Sequence, residues 1–423
     1  MEKQKECIYK RRKHMDKPEL LAPAGSFEKA RIAFLYGADA VYMGTSKLSL
    51  RARVNVGDDD LANTIKYAHK IGKRVYAAVN IYASDFEYEE IVCQVKALGN
   101  LKVDGIIVSD GGVLEIIKKY APDVEAHIST QTNVTSWHTG AFWHKNGADR
   151  IILGRELTKY QLKEMLENKP EKLKLEMFIH GALCVAYSGR CLLSDFLAYR
   201  SANHGDCAQC CRWEYGIYLE DNNNPGELMP MEEGERGTYI LSSKDLCLIK
   251  ELPEICNMGM QSLKIEGRLK TEYYLATVVN AYRCAIDDYI KDPKDYKYEK
   301  YLNELEKVKT RKFCTYFYYG KESSDVQEYD GKQYNADYEF GGIVVDKSGE
   351  KVLIEIKNKL QLGDKMEIII PGKIETAEFE IEEMWDSETG EKIEVINPGV
   401  QGQTIRLKIP VKVEEGYILR RKK

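Results

Sequence analysis

Short apolar runs separated by stretches of helical period recur from Pro18 to about Tyr289. Leu20-Leu21-Ala22-Pro23-Ala24-Gly25 is a strand closing on small residues, and Ser26 caps a helix with apolar positions Ala30, Ile32, Ala33 and Leu35 that stops at Gly37. The phrase Gly37-Ala38-Asp39-Ala40-Val41-Tyr42-Met43-Gly44 opens the next unit, and close variants return at Gly147 to Gly154 and Gly259 to Gly267. Its first glycine ends a helix and its apolar run fills a strand buried on both faces. Further strands are predicted at Arg74 to Ile81, Val103 to Ser109, Glu125 to Gln131 and Leu173 to Ile179, with Ser262 to Ile265 as the eighth. Eight strands alternating with helices predict an α/β fold, a (β/α)8 TIM-like barrel over residues 18–290. A doubly wound open sheet is the runner-up. The barrel is preferred because eight units in about 290 residues match its usual span, and no Gly-x-Gly-x-x-Gly follows the first strand.

The alternation breaks after strand seven, at a cysteine-rich insertion spanning 180–215. A polar, acidic, turn-rich excursion follows from Glu220 to Gly237, read as a hairpin or lid. Thr271 to Tyr289 has a helical period and closes the barrel. Residues 291–338 are charged and tyrosine-rich, a partly helical connector. From Phe340 the texture changes to alternating apolar and polar positions between Gly, Asp-Ser and Pro turns, so residues 339–420 are predicted to form a small all-β barrel.

Hydrophobic residues make up 43% and charged residues 30% of the chain, and no apolar run is long enough to span a bilayer. The segment Met1 to Lys17 is charged and lacks the apolar core of a secretory signal, which points to the cytoplasm. Thiols are kept reduced there, so clustered cysteines suggest metal binding or catalysis before disulfides. The net charge of −5 argues against a generally basic nucleic-acid coat, although Lys10 to Lys13 form one basic run.

A barrel places chemistry after the C-terminal ends of its strands. Those positions hold Arg51 and Arg53, Asn80 and Tyr82, Ser109 and Asp110, Ser129, Gln131 and Asn133, Arg155 and Glu156, His180, and Lys264, Glu266 and Arg268. The arginines suit a small anionic ligand. The bland alternative is that about half of these groups only cap helices and pair with each other.

Five of the eleven cysteines, Cys184, Cys191, Cys207, Cys210 and Cys211, lie in the insertion. Cys184 and Cys191 are seven apart and Cys207 and Cys211 four apart, so a helix would present each pair on one face. Four thiolates suit tetrahedral zinc or an iron–sulfur cluster. The first spacing is wide for structural zinc, which favours the cluster, and incidental buried thiols are the bland alternative.

The run Glu176-x-Phe178-x-x-Gly181-Ala182-Leu183-Cys184-x₄-Gly189-x-Cys191-x-Leu193-Ser194 resembles the signature of the U-32 peptidase, or collagenase-like, family. Pro18 to Gly25, Tyr36 to Gly44, Ser49 to Arg53 and Ser262 to Arg268 match as well, and the C-terminal segment is similar to the small barrel that many members carry. Cys184 to Ser194 with Cys211 to Tyr215 most resembles the tRNA 5-hydroxyuridine modification proteins. That resemblance implies oxygen-independent hydroxylation of C5 of a wobble uridine in tRNA, with prephenate as hydroxyl donor and a [4Fe–4S] cluster on Cys184, Cys191, Cys207 and Cys211. Cys210 and Cys247 are the departures that could displace one ligand. Charge and position make Arg53, Arg155 and Arg268 the holders of the anionic co-substrate.

Two other classes compete. A peptidase needs a cysteine–histidine pair or His-Glu-x-x-His; the latter is absent, and His180 near Cys184 is read as a hydrogen-bonding residue before a base. A non-catalytic RNA-binding scaffold is the third class. Trp137, Trp143 and Trp213 are candidates to stack an extruded base, although most aromatics pack. Homo- or hetero-oligomerisation stays open.

Overall fold

The computed structural model describes residues 17–45, 58–184, 186–202, 206–213, 215, 217–220, 225–226, 228–231, 243–308, 310–320, 337–347, 351–400 and 402–423. Strands β1 (Glu19–Pro23), β2 (Ala40–Gly44), β3 (Arg74–Val79), β4 (Gly105–Val108), β5 (Glu125–Ile128), β6 (Arg150–Ile152) and β7 (Lys174–Ala182) pair in parallel, each with the next. A hairpin of β8 (Ile217–Glu220) and β9 (Leu228–Met231) and a short β10 (Asp245–Cys247) intervene before β11 (Ser262–Ile265). β11 bonds to both β7 and β1 and closes the barrel of eight parallel strands.

Helices α1 (Phe27–Leu35), α2 (Asp58–Lys70), α3 (Tyr88–Asn100), α4 (Gly111–Tyr120), α5 (Trp137–Lys145) and α6 (Lys159–Asn168) alternate with the first strands. Local chemistry starts several of them: Ser26, Asp110, Ser136 and Thr158 accept backbone N–H groups at the first turns of α1, α4, α5 and α6. The insertion carries only the short α7 (Leu193–Ala198), and α8 (Leu252–Met258) leads into β11. α9 (Glu272–Lys291) is buried along most of its length, and α10 (Tyr298–Leu305) packs on it.

Strand seven runs three residues beyond the Ile179 end predicted from its apolar pattern. The extension exists because β10 supplies a second, antiparallel partner for His180, Gly181 and Ala182. Beyond β10 lies β12 (Phe313–Cys314), so the connector rejoins the barrel sheet.

The lower barrel is plugged by charge. Arg150 donates to Glu19 at 2.5 Å and to Glu176 at 2.9 Å, Lys264 donates to Glu176 at 2.9 Å, and Tyr76 donates to Glu19 at 2.7 Å. Ser262 adds a bond to Glu19 at 3.0 Å. Arg150 is 2% exposed and Glu176 fully buried. Burial alone would push the Glu176 carboxyl up; Lys264 and Arg150 outweigh it and bring the group down to about 2.

The C-terminal unit is all-β. It comprises β13 (Tyr338–Asp346), β14 (Val352–Ile356), β15 (Leu360–Gln361), β16 (Lys365–Ile369), β17 (Ala377–Glu380), β18 (Met384–Asp386), β19 (Val395–Ile396), β20 (Thr404–Leu407) and β21 (Ile418–Lys422). Seven of them form one curled antiparallel sheet ordered β17-β16-β21-β13-β14-β20-β18, with Val344, Ile354, Met366, Ile368, Ile405 and Leu419 inside.

This sheet seats against the barrel's helical shell. Tyr36 donates its hydroxyl to the Ile369 carbonyl at 2.9 Å and accepts the Ile418 N–H at 3.0 Å. Arg420, fully buried, pairs with Glu304 at 2.8 Å and Glu367 at 2.6 Å. Asn280 on α9 donates to the Lys373 carbonyl at 2.7 Å.

Candidate functional site

Alternate residues of a strand face the same side, so positions 76, 78 and 80, or 127 and 129, stack upward inside the barrel. The upper layer is polar. Gln131 accepts at Oε1 from Asn80 Nδ2 at 2.6 Å, Ser109 Oγ at 3.0 Å and Ser129 Oγ at 3.2 Å, and its carbonyl accepts the Tyr82 hydroxyl at 2.7 Å. Across the mouth the Arg155 guanidinium lies 4.1 Å over the Phe178 ring, and its Nε has no hydrogen-bond partner among the described residues. Lys264 lies 4.3 Å over Tyr42, whose hydroxyl bonds to Glu266 Oε2 at 3.2 Å, and Arg268 approaches the same ring at 5.9 Å. Burial disfavours the charged form of Lys264 and lowers its pKa, although Glu176 works against that. Two aromatic faces therefore carry three cations at the head of the barrel.

The cysteine insertion sits on this mouth. Ser188 donates N–H and hydroxyl to Glu156 Oε1 at 2.8 and 3.2 Å, while Glu156 Oε2 accepts from Asn133 at 3.1 Å. Glu156 thus ties the loop to the barrel. Gly189 has φ +74, and a Cβ there would fall 2.5 Å from the Gln131 carbonyl and 2.7 Å from the Tyr82 hydroxyl, so only glycine lets the loop come this close. Arg212 donates to the Leu183 carbonyl at 2.9 Å and Tyr316 to the Cys184 carbonyl at 3.1 Å, stitching the second half of the insertion and the connector to the first. Ser194 accepts the Ala208 N–H at 2.9 Å, and Arg200 pairs with Asp206 at 2.8 Å.

The helices expected at the cysteine pairs are not there. Cys184 leaves β7 in irregular chain and Cys191 follows a turn containing Gly189. Cys207 lies in irregular chain and Cys211 in a single 3₁₀ turn entered through Gln209 in the left-handed conformation. Glycine at 189 and the clamp on Glu156 favour a loop over a continuous helix.

Cys184 nonetheless lies within reach of the charge of Cys191 and Cys207, and Cys211 within reach of all three. Burial raises the Cys184 thiol, and charge on Cys191 or Cys207 raises it further; burial likewise raises Cys211, as does charge on Cys184, Cys207 or Cys191. Arg155 acts in the opposite sense on Cys184 and Arg212 on Cys211. Among the described residues no three His, Cys, Asp or Glu side chains converge as one bound ion requires. Cys210 is 2% exposed and its carbonyl accepts the Tyr215 hydroxyl at 2.8 Å. Cys247 is buried on β10 beside Tyr282, and burial pushes its thiol up to about 12.

The sequence matches Peptidase family U32 over residues 25–328 and the Peptidase family U32 C-terminal domain over 336–420. The chain belongs to peptidase family U32. This U32 protein is 38% identical over 411 residues to tRNA hydroxylation protein P1 of Bacillus subtilis, spanning 96% of this chain and 95% of that one. It is 35% identical to tRNA hydroxylation protein P of Escherichia coli over 96% of each. It is also 35% identical, over 66% of this chain and 40% of the relative, to the 23S rRNA 5-hydroxycytidine C2501 synthase of Escherichia coli. No helix among the described residues of this U32 chain is long and apolar enough to cross a membrane.

Arg155, Glu156, His180, Lys264, Glu266 and Arg268 all stand at or beside the mouth, whereas Arg51, Arg53 and the run Lys10 to Lys13 lie outside the described residues. Trp213 is 42% exposed on the insertion; Trp137 and Trp143 pack partly against the core. Gln131, one of many rim positions in the sequence, proves to be the hub of its layer. Tyr316 carried no signal, because the two-residue β12 that brings it to Cys184 is set by tertiary pairing.

His180 is boxed by Tyr274, Tyr282 and Phe313, and burial, aided by the charge of Lys270, lowers it to about 3 from an ordinary 6.5. The unfolded U32 chain therefore binds a proton that the folded one refuses between these values, so this contribution is complete above pH 6.5 and shrinks as pH falls toward 3. Thermal melts from about pH 7 to about pH 4 should show a falling Tm, with a shallower slope in His180→Phe. Equal slopes would assign the acid sensitivity to other groups.

Proposed function

We infer that this U32 protein is a tRNA-modifying enzyme that hydroxylates C5 of a uridine, the wobble base, in the barrel mouth beneath the cysteine insertion. The observation that carries this reading is 38% identity across 96% of the chain to a protein named for tRNA hydroxylation, which retains barrel and C-terminal sheet together. A relative named for making 5-hydroxycytidine in rRNA supports hydroxylation of a pyrimidine as the shared chemistry.

Cys184, Cys191, Cys207 and Cys211 would hold a [4Fe–4S] cluster. Cys184 and Cys211 feel the charge of the others, and among the described residues no three ligands converge on a point. That arrangement suits a cuboidal group, which spaces its thiolates apart, better than zinc, which draws four sulfurs to about 2.3 Å. When bound, the cluster would supply a redox-active, Lewis-acidic centre; turning C5–H into C5–OH removes two electrons from the base, and these go to the hydroxyl donor, whose C–OH bond breaks and whose carbon is reduced.

The chain's own residues have definable parts. Arg155, with Arg53 and Arg268, would hold the anionic hydroxyl donor, prephenate in this reading, and Lys264 adds positive potential below it. Glu156 braces the cysteine loop, Glu266 fixes Tyr42, and His180 stays neutral in the wall.

Peptide hydrolysis is less well supported. No cysteine–histidine hydrogen bond occurs among the described residues, and burial raises the Cys184 thiol when a nucleophile needs it lowered.

The test is nucleoside mass spectrometry of tRNA from a strain lacking the gene, complemented by wild type or by cysteine variants. Restored 5-hydroxyuridine with wild type alone supports the enzyme. Restoration by every variant would make the barrel a scaffold, and no change in hydroxyuridine would sink the assignment and return attention to peptides.

A further inference from the structure

We propose that Gln131 is the residue by which the mouth selects uracil over cytosine, its Nε2 donating to the C4 carbonyl oxygen of the pyrimidine. This rests on the RNA-hydroxylation reading and names a determinant that the reading leaves open. Gln131 is 3% exposed, yet its Nε2 has no hydrogen-bond partner among the described residues. Buried amide N–H groups are seldom left this way, because desolvation is not returned.

The orientation of the amide is set by its other end. Oε1 already accepts from Asn80 and Ser129 and lies 3.0 Å from the Ser109 hydroxyl, whose one proton is shared between it and the Asn80 carbonyl; with Asn80 in place, turning Gln131 over would oppose two NH2 groups at 2.6 Å. With its oxygen so engaged, the side chain presents its NH2 group to a ligand. The backbone of Gln131 meets Tyr82 and Gly189, which places the residue against the loop that runs from Cys184 to Cys191.

An amide presenting its NH2 group has a definite chemical preference. Uracil offers a carbonyl oxygen at C4, where cytosine offers an amino group, itself a donor. Facing Nε2, the first is bonded and the second leaves two donors opposed in a buried site. A carboxylate is the other acceptor of this geometry, but the mouth meets anions with Arg155 and Lys264, and a neutral amide suits a neutral carbonyl.

The experiment uses full-length enzyme and two anticodon stem-loops differing only by uridine or cytidine at the target position. Gln131→Glu keeps the seated oxygen and its three donors while replacing the N–H by an acceptor; Gln131→Met removes both polar atoms. Melting curves confirm that each variant is folded. The expected result is a uridine-to-cytidine ratio of kcat/KM at least about tenfold lower in Gln131→Glu, a smaller fall in Gln131→Met, and an unchanged KM for the hydroxyl donor. An unchanged ratio, or a raised donor KM with the ratio held, overturns the proposal. Fluorescence anisotropy with the same stem-loops separates the two ideas. If no RNA is hydroxylated but wild type prefers the uridine loop and Gln131→Glu does not, the hydroxylation reading fails and the Gln131 assignment stands.

Discussion

Alanine at any one of Cys184, Cys191, Cys207 or Cys211 is expected to strip the protein of iron and to lower RNA hydroxylation by at least about 100-fold. Cys210→Ala and Cys247→Ala are expected to leave iron content near wild type. The division follows the surroundings: Cys184 and Cys211 lie within reach of the charge of the other thiols of the set, whereas Cys210 is buried and Cys247 is shut into the sheet beside Tyr282. Iron and acid-labile sulfide assays on anaerobically purified protein, with absorption near about 400 nm, give a readout independent of activity. About four irons in wild type, lost in the four variants, would support the set. Stoichiometric zinc, or iron retained in any of the four, would break it.

The second large effect lies below the site. Arg150→Ala removes the cation that Glu19 and Glu176 share, leaving Glu19 to Arg74 and Glu176 to Lys264, and the cost is expected to reach up to about 3–5 kcal/mol. Arg150→Lys should recover part of the loss. The same change alters the acid limb of stability. Glu176 is held at about 2 against an ordinary 4.5, so its contribution is complete above pH 4.5 and drains away as pH falls toward 2. Denaturant titrations near neutral pH and near pH 4 should therefore differ less in the Arg150→Ala variant than in wild type. An undiminished midpoint in that variant would mean the network contributes no net stability.

Much of the barrel was legible because its signals are local. The Gly-x-Asp phrase marks a helix stop, a charged anchor and a buried strand within eight residues, and Asp39 and Asp149 each accept a neighbouring strand's backbone N–H. The cysteine set was legible as composition but not as shape. A spacing of seven is equally a helix face or a loop, and what decides it is the contact of Gly189 with residues 82 and 131, far away in sequence. The ionic plug was hidden for a related reason. Glu19, Arg150, Glu176 and Lys264 each interrupt an apolar run, a visible oddity, but their pairing spans up to 131 positions and emerges only when the barrel closes. Gln131 shows the same limit: the sequence places it on the rim, and three partners from β3 to β5 decide what its amide can do.

The seam between barrel and sheet has a consequence for how the molecule comes apart. Tyr36 uses both its hydrogen and its lone pair across that seam, and Arg420 binds a carboxylate from α10 and one from β16. Separating the two units would break the Arg420–Glu304 pair and both bonds of the Tyr36 hydroxyl, leaving Arg420 with Glu367 of its own sheet alone. These contacts couple the two units, so a mutation at the seam in the terminal sheet is expected to be felt in the shell around the barrel that carries the site.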